Sequence, residues 1–172
     1  MIQNNQLHIR KMEHHDYPLM VMWLNNPEVL KFYEEPPSSL ESIAAKYGPR
    51  IDGDHYVTPC IVELANHPIG YMQYYPIQSR DYSAYSLDTN SNYFGIDQFI
   101  GESELWGQGL GTQLIQALLL YLKGRQAEGV ILEVKKSNSR AIKSYQKCGF
   151  EITKELNDEY YAMACSLTLP KK

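Results

Sequence analysis

The sequence predicts an α+β (mixed α/β) protein in which helices flank a single central mixed sheet. The main observation is a strongly amphipathic helix that opens at a glycine-rich turn and ends near Gly124, followed by a short, mostly apolar run at 130–134 that is typical of a strand at a sheet centre. A hairpin pattern precedes this pair, so antiparallel and parallel neighbours are both expected. With 172 residues and no repeat or linker, the chain is expected to form one domain over 1–172.

The N-terminal part of the chain is expected to be mainly helical. Its predicted elements are a strand with alternating side chains over 7–12, a helix from 15 broken near 26–27, a short helix over 29–33 stopped at 34–37, and a helix capped by Ser38 or Ser39 and ended at Gly48-Pro49.

The remainder of the chain alternates strands with helices and loops. Its predicted elements are a hairpin of 56–64 and 69–75 around a turn at 65–68, a long Tyr-rich loop over 77–92, a strand over 93–100, a glycine-rich turn at 107–111 opening a helix that ends near Gly124, a strand over 130–134, a helix capped by Ser137 or Asn138 and ended after Lys147, and terminal strands over 150–154 and 160–168.

Charge is distributed unevenly along the chain. The net charge of −4 argues weakly against a nucleic-acid partner. Residues 81–104 carry acidic side chains and no Lys or Arg, whereas residues 106–147 are mainly basic. This pattern fits a cationic substrate beside an anionic cofactor, although two solvated faces with a chance bias would look the same.

The three cysteines, Cys60, Cys148 and Cys165, are widely spaced and form no CxxC or Cys/His cluster. We therefore expect reduced thiols in a cytoplasmic protein, without a metal site or a disulfide framework. The N-terminal segment has no apolar signal-like region and no apolar run is long enough to span a bilayer, so no membrane association is expected.

A glycine-rich segment at 106–112 lies between a predicted strand and the amphipathic helix. Gly109 and Gly111 allow phosphate oxygens to approach the backbone, and the first amide groups of a helix attract anions. Such a segment can also be a simple turn. It lacks the Gly-Lys-Ser/Thr of a P-loop, and its position in mid-chain does not suit a Rossmann start.

A second motif, Asn138-x-x-Ala141-x-x-x-Tyr145-x-x-x-Gly149-Phe150, follows the next strand. Together the two motifs resemble the core of the GNAT acetyltransferases and imply the GNAT fold with acetyl-CoA as cosubstrate. The resemblance implies that the cofactor pyrophosphate binds at Gln108, Gly109, Leu110, Gly111 and Thr112, that Asn138 contacts the pantetheine arm, and that Tyr145 lies near the thioester sulfur. Phe99 and Ile100, at the end of the preceding strand, are assigned to the same cofactor site. Trp106 departs from the Gln or Arg usual at its position, which removes one side-chain contact.

Further segments resemble the aminoglycoside 6'-N-acetyltransferases, most closely those of Gram-positive bacteria, over nearly the whole chain. They are Trp23–Asn25, Pro68–Gln73, Gly95–Gly101 and Gly109–Thr112. In the resembled enzymes the Asp of the Gly-Ile-Asp-Gln element, here Asp97, faces the acceptor amine. A carboxylate there can hold an ammonium group beside the thioester and accept its proton, whereas a strand Asp without a role is disfavoured.

The remaining acceptor contacts are less specific. Related enzymes often carry Asp where Glu133 stands, so Glu133 is either a second substrate contact or part of a structural ion pair. Aromatic faces and carboxylates suit a polycationic sugar. The residues expected to line the acceptor cleft are Tyr33, Tyr74, Tyr82, Tyr85 and Asp88. Many of the fourteen tyrosines are nevertheless expected to be ordinary packing residues.

Three functions are compatible with these motifs. The favoured one is transfer of acetyl to the 6'-amine of an aminoglycoside by direct attack in a ternary complex. A second is acetylation of another cationic amine, such as a polyamine, a siderophore precursor or a protein N-terminus. A third is a CoA-binding sensor without turnover, which would need neither the proton acceptor Asp97 nor the proton donor Tyr145.

Overall fold

The computed structural model describes residues 2–4, 6–33 and 36–168, which form one mixed eight-stranded sheet flanked by helices. The strands are β1 Ile2–Asn4, β2 Leu7–Lys11, β3 Thr58–Leu64, β4 His67–Pro76, β5 Tyr93–Ile100, β6 Gly129–Lys135, β7 Glu151–Glu155 and β8 Tyr160–Ser166. The helices are α1 Tyr17–Trp23, α2 Pro27–Leu30, α3 Leu40–Asp52, α4 Leu110–Lys123 and α5 Ser139–Lys147. The predicted fold class is confirmed.

The strand order is β1-β2-β3-β4-β5-β6-β8-β7. Strands β5 and β6 are parallel and joined through α4, whereas β6–β8 and β7–β8 are antiparallel. Backbone bonds from Ile77 to Tyr93 and from Gly101 to Ile69, at opposite ends of β4 and β5, give these two strands an antiparallel pairing. The parallel pair explains why β6 is apolar along most of its length, since it lies inside the sheet.

The described residues divide into two compact units, and β4 and β5 each contribute to both. The first contains the described residues up to Tyr74 together with Gln98–Leu110, and the second contains Tyr75–Asp97 and the described residues from Gly111 onward.

In the first unit, α1 and α3 pack together and α3 packs on β3. The centre of this core is the fully buried Trp23, whose indole N–H donates to Glu102 at 2.9 Å. Gly101 is required beside it, because a Cβ there would lie 2.3 Å from the indole ring.

Helix α3 is longer than the sequence predicts. Ser39 caps it, but the helix continues through Gly48-Pro49 and ends at Asp52, where Gly53 takes a left-handed φ of 87°. The predicted end was wrong because the restriction on a residue before proline comes partly from its Cβ, which Gly48 lacks. The helix can therefore carry Pro49 in its last turn.

Other element boundaries differ by a few residues. Strand β1 was not predicted, α1 is preceded by a 3-10 turn over His14–Asp16, and α2 ends at Leu30, before Phe32 and Tyr33. Of the predicted stop at 34–37, positions 34 and 35 lie outside the described residues. The hairpin turn is tighter than predicted, with Ala65 and Asn66 both at positive φ.

In the second unit, two glycines make room for tyrosine rings. A Cβ on Gly95 would lie 2.3 Å from the ring of Tyr75, and a Cβ on Gly129 would lie 2.3 Å from the ring of Tyr93. Both rings pack against a small core that includes Ile77. None of the described helices is long and apolar enough to cross a membrane.

Candidate active site

The glycine-rich loop lies directly before α4, as predicted. Gly107 and Gly109 both have a φ of 79°, and no described atom lies within 4 Å of a Cβ built on either. The helix that follows, α4, has 14 residues, and the first N–H groups of a helix have no acceptor within it and attract an anion. The backbone at Gly107 and Gly109 is thus open, as a pyrophosphate site at the start of α4 requires.

The Trp106 side chain, which departs from the GNAT pattern, has a structural role. Its indole N–H donates to the Ile100 carbonyl at 2.9 Å and ties the start of the loop to the end of β5. In the same loop the Gln108 side chain donates to the Glu104 carbonyl at 3.0 Å. These bonds hold the loop without using the backbone amides at the helix start.

A hydroxyl pair joins the first turn of α4 to α5. Thr112 Oγ1 and Ser144 Oγ are 2.8 Å apart, and Cys148 Sγ donates to the Thr112 carbonyl at 3.6 Å. A Cβ on Gly111 would lie 3.7 Å from Ser144 Oγ. Sequence reasoning missed Ser144, although its place beside Tyr145 in the second motif is a usable signal.

Helix α5 carries the two other residues assigned to acetyl-CoA. Asn138 is its N-cap, and the side-chain oxygen accepts from the Ala141 N–H at 3.1 Å. The amide NH₂ is therefore the part of Asn138 that can donate to a bound molecule. Tyr145 is 9% exposed, and its ring centre lies 5.9 Å from that of Phe150. Neither feature tests the assigned roles, which stay predictions.

The second unit brings two tyrosines and two carboxylates together, a group that we call the tyrosine–carboxylate cluster: Tyr75, Tyr85, Asp97 and Glu133. The Tyr85 hydroxyl donates to Glu133 Oε1 at 2.7 Å, and Tyr75 is hydrogen-bonded to Asp97. Burial and the neighbouring carboxylates raise the pKa of both phenols. Both tyrosines therefore stay protonated, and the cluster concentrates negative charge suited to an ammonium group.

Tyr75 was missing from the predicted site, although a strand glycine such as Gly95 signals the close approach of another group. Tyr85 is among the residues predicted to line the acceptor cleft, but the sequence does not predict its pairing with Glu133. The structure pairs Glu133 with a phenol and not with a cation, so the predicted alternative of a structural ion pair has no support in its described contacts.

The other residues assigned to the site lie in varied surroundings. The Tyr33 ring packs on Phe99 with centroids 4.8 Å apart, and Phe99 also packs on Trp23. Tyr74 is 6% exposed. Asp88 accepts from the Asn90 N–H at 3.0 Å and so shapes a turn of the long loop. Among the described residues no cluster of His, Cys, Asp and Glu could hold a metal ion.

Comparison with known proteins gives one consistent family. Residues 13–158 match the family model described as an acetyltransferase (GNAT) domain. The chain is 32% identical to the aminoglycoside N(6')-acetyltransferase type 1 of Klebsiella pneumoniae, over 86% of this chain and 75% of that protein.

Solved structures agree with the family match. The structure of AAC(6')-Ib in complex with ribostamycin and coenzyme A superposes with a TM-score of 0.75 at 28% identity, over 94% of each chain. The spermidine N-acetyltransferase of Vibrio cholerae, in complex with CoA and spermine, has a TM-score of 0.77 at 22% identity, over 95% of this chain and 97% of that one. This second likeness concerns the fold alone.

Proposed function

Since the chain belongs to the GNAT acetyltransferase family, we propose that it transfers the acetyl group of acetyl-CoA to the 6'-amine of aminoglycoside antibiotics. The amine attacks the thioester directly in a ternary complex. The similarity to an aminoglycoside N(6')-acetyltransferase over most of the chain supports this acceptor. In this proposal residues 1–172 act as one domain, and the protein acts in the cytoplasm.

The tyrosine–carboxylate cluster is the structural observation that supports an aminoglycoside as the acceptor. An aminoglycoside bears several ammonium groups, and the cluster offers two carboxylates, Asp97 and Glu133, each hydrogen-bonded to a phenol. Aromatic rings beside carboxylates also suit cations. Tyr33, Tyr74 and Asp88 remain proposed contacts of the same substrate.

Asp97 is the proposed catalytic carboxylate. An amine attacks a thioester only as the free base, yet it arrives as an ammonium group at neutral pH. The carboxylate holds that group, accepts its proton and presents the nitrogen lone pair to the carbonyl carbon. Such positioning accounts for a large part of the rate of a two-substrate reaction.

The residues of the glycine-rich loop and α5 fit acetyl-CoA, which supplies an activated acyl thioester. The open backbone at Gly109 and the first turn of α4 would hold the pyrophosphate. Asn138 would donate its NH₂ group to the pantetheine arm, with Phe99 and Ile100 along the same arm. Tyr145 would donate a proton to the departing thiolate sulfur.

The test is thiol release from acetyl-CoA with a panel of aminoglycosides, spermidine and N-terminal peptides. We expect turnover with kanamycin and acetylation at the 6' position by NMR of the product. Asp97→Asn should reduce turnover at least 100-fold, within the usual range for general bases, while Asp54→Asn, at an exposed position, should not. Good turnover of spermidine without any aminoglycoside would reassign the acceptor to another cationic amine.

A further inference from the structure

We propose that Tyr75 is a positioning residue that holds the Asp97 carboxylate in a single orientation and in its ionised form. The inference rests on the proposed function, in which Asp97 takes the proton of the acceptor amine. It adds Tyr75, on β4, to the two residues assigned to the catalytic step, Asp97 on β5 and Tyr145 on α5.

The contact between Tyr75 and Asp97 has a defined direction. Their side chains are hydrogen-bonded, and an ionised carboxylate can only accept, so the phenol donates. Hydrogen bonds to charged groups are shorter and stronger than neutral ones. The bond therefore favours the charged form of Asp97 and fixes the orientation of its carboxylate.

The tyrosine ring is held against the strand that carries Asp97. A Cβ on Gly95 would lie 2.3 Å from Cε2 and 2.5 Å from Cζ of Tyr75, so the ring lies directly on the Gly95 backbone. Gly95 and Asp97 are two residues apart in β5 and face the same side of the sheet. A ring resting on Gly95 thus reaches Asp97 with its hydroxyl.

A second carboxylate and a second phenol act on the pair. Besides Asp97, the titratable groups that act on Tyr75 are Tyr85 from the long loop and Glu133 from β6, and the charge of Asp81 also acts on Tyr85. A second carboxylate nearby disfavours ionisation of Asp97, and a hydrogen-bond donor offsets that effect. Burial and the same charges raise the pKa of Tyr75, so it keeps its proton and remains a donor.

The experiment is a ¹³C NMR titration of the Asp97 side-chain carboxyl, assigned by its loss in Asp97→Asn. Tyr75→Phe keeps the ring and removes only the hydroxyl. We expect the midpoint of the Asp97 titration to rise by about one pH unit. A shift of this size corresponds to the free energy of a hydrogen bond to a charged group. Tyr93→Phe is the matched control, because Tyr93 also rests on a glycine in this unit, and it should leave the midpoint unchanged.

Gly95→Ala provides a second, independent variant, since its Cβ displaces the ring without changing Tyr75. It should raise the Asp97 midpoint in the same direction. An Asp97 midpoint that is equal in wild type and Tyr75→Phe overturns the inference. In aminoglycoside assays, Tyr75→Phe should lower kcat about tenfold with little change in the KM for acetyl-CoA.

The titration separates this inference from the proposed function, because it needs no acceptor. A midpoint that shifts in Tyr75→Phe, in a wild-type enzyme that acetylates no aminoglycoside, would support the pairing and reject the acceptor. A midpoint that stays fixed in an active aminoglycoside acetyltransferase would reject the pairing alone.

Discussion

Asp16 shows how a single buried charge is stabilised in this molecule. Its side chain is 1% exposed and accepts two bonds from Arg10, at 2.7 and 2.8 Å, and one from the Glu13 N–H at 2.8 Å. Burial alone would raise the pKa of Asp16, but the bonds from Arg10 and the backbone outweigh it, and the pKa lies below its ordinary value. The ionised form therefore stabilises the fold.

We expect Asp16→Asn to lower the free energy of unfolding by about 2 kcal/mol near neutral pH, since it removes charge-assisted hydrogen bonds between the buried Asp16 and the half-buried Arg10 guanidinium. A carboxyl with a lowered folded-state pKa stabilises above its unfolded pKa of about 3.9, and this contribution is lost as the pH falls through the folded-state value. The difference between wild type and Asp16→Asn in urea unfolding should thus shrink in acid. A constant difference at all pH values, or an equal loss in Asp54→Asn, would contradict this assignment.

At Tyr145 the expected effect is catalytic. If its hydroxyl protonates the departing thiolate, Tyr145→Phe should lose turnover by roughly 10- to 1,000-fold, the usual range for general acid catalysis, with little change in acetyl-CoA affinity. Steady-state kinetics and calorimetry measure the two quantities. Unchanged turnover would remove Tyr145 from the mechanism.

At the scale of the element, the glycine-rich loop and α4 act together as an anion site. Gly109→Glu places bulk and negative charge where the pyrophosphate is proposed to bind, and should abolish CoA binding in calorimetry while the fold survives. Gly53→Glu is a matched control, because Gly53 also has a left-handed φ with no described atom within 4 Å of its Cβ position, but lies at the end of α3. Unchanged CoA affinity in folded Gly109→Glu would show that the loop assignment is wrong.

Comparison of predicted and observed elements shows which physical signals are local. Strand β5 has the predicted bounds, and α4 and α5 begin beside the predicted turn and cap, because periodicity, glycines and capping residues are read from neighbouring positions. The end of α3 was missed because Gly48 changes the effect of Pro49. Strand β1 was missed because three residues carry too little alternation.

The residues of the candidate site also divide into those that local motifs predict and those that depend on the pairing of distant strands. Asp97, Tyr145 and the glycine-rich loop could be assigned because they lie in motifs with characteristic spacing. Tyr75 could not, because its pairing with Asp97 depends on the register between β4 and β5. That register follows from the sheet and not from the sequence around either residue.

At the scale of the whole molecule, burial controls the reactivity of the thiols. Burial raises the pKa of Cys60 to about 12 and also raises the pKa of Cys148 and Cys165. The reactive thiolate is therefore scarce in the folded protein. We expect Cys60 to resist a thiol reagent at about pH 8 and all three cysteines to react in urea, as mass spectrometry of the labelled protein would show. Rapid labelling of Cys60 in the folded enzyme would contradict its burial.

The tyrosine that rests on Gly95 also constrains how the enzyme can evolve. Any side chain at Gly95 occupies the space of the Tyr75 ring, so a mutation at the glycine alone disturbs Asp97 without touching it. A smaller residue at position 75 would have to arise first for a larger residue at 95 to be tolerated. The two positions are thus expected to change as a pair among descendants of this protein, and selection for a new acceptor should alter the long loop before it alters either of them.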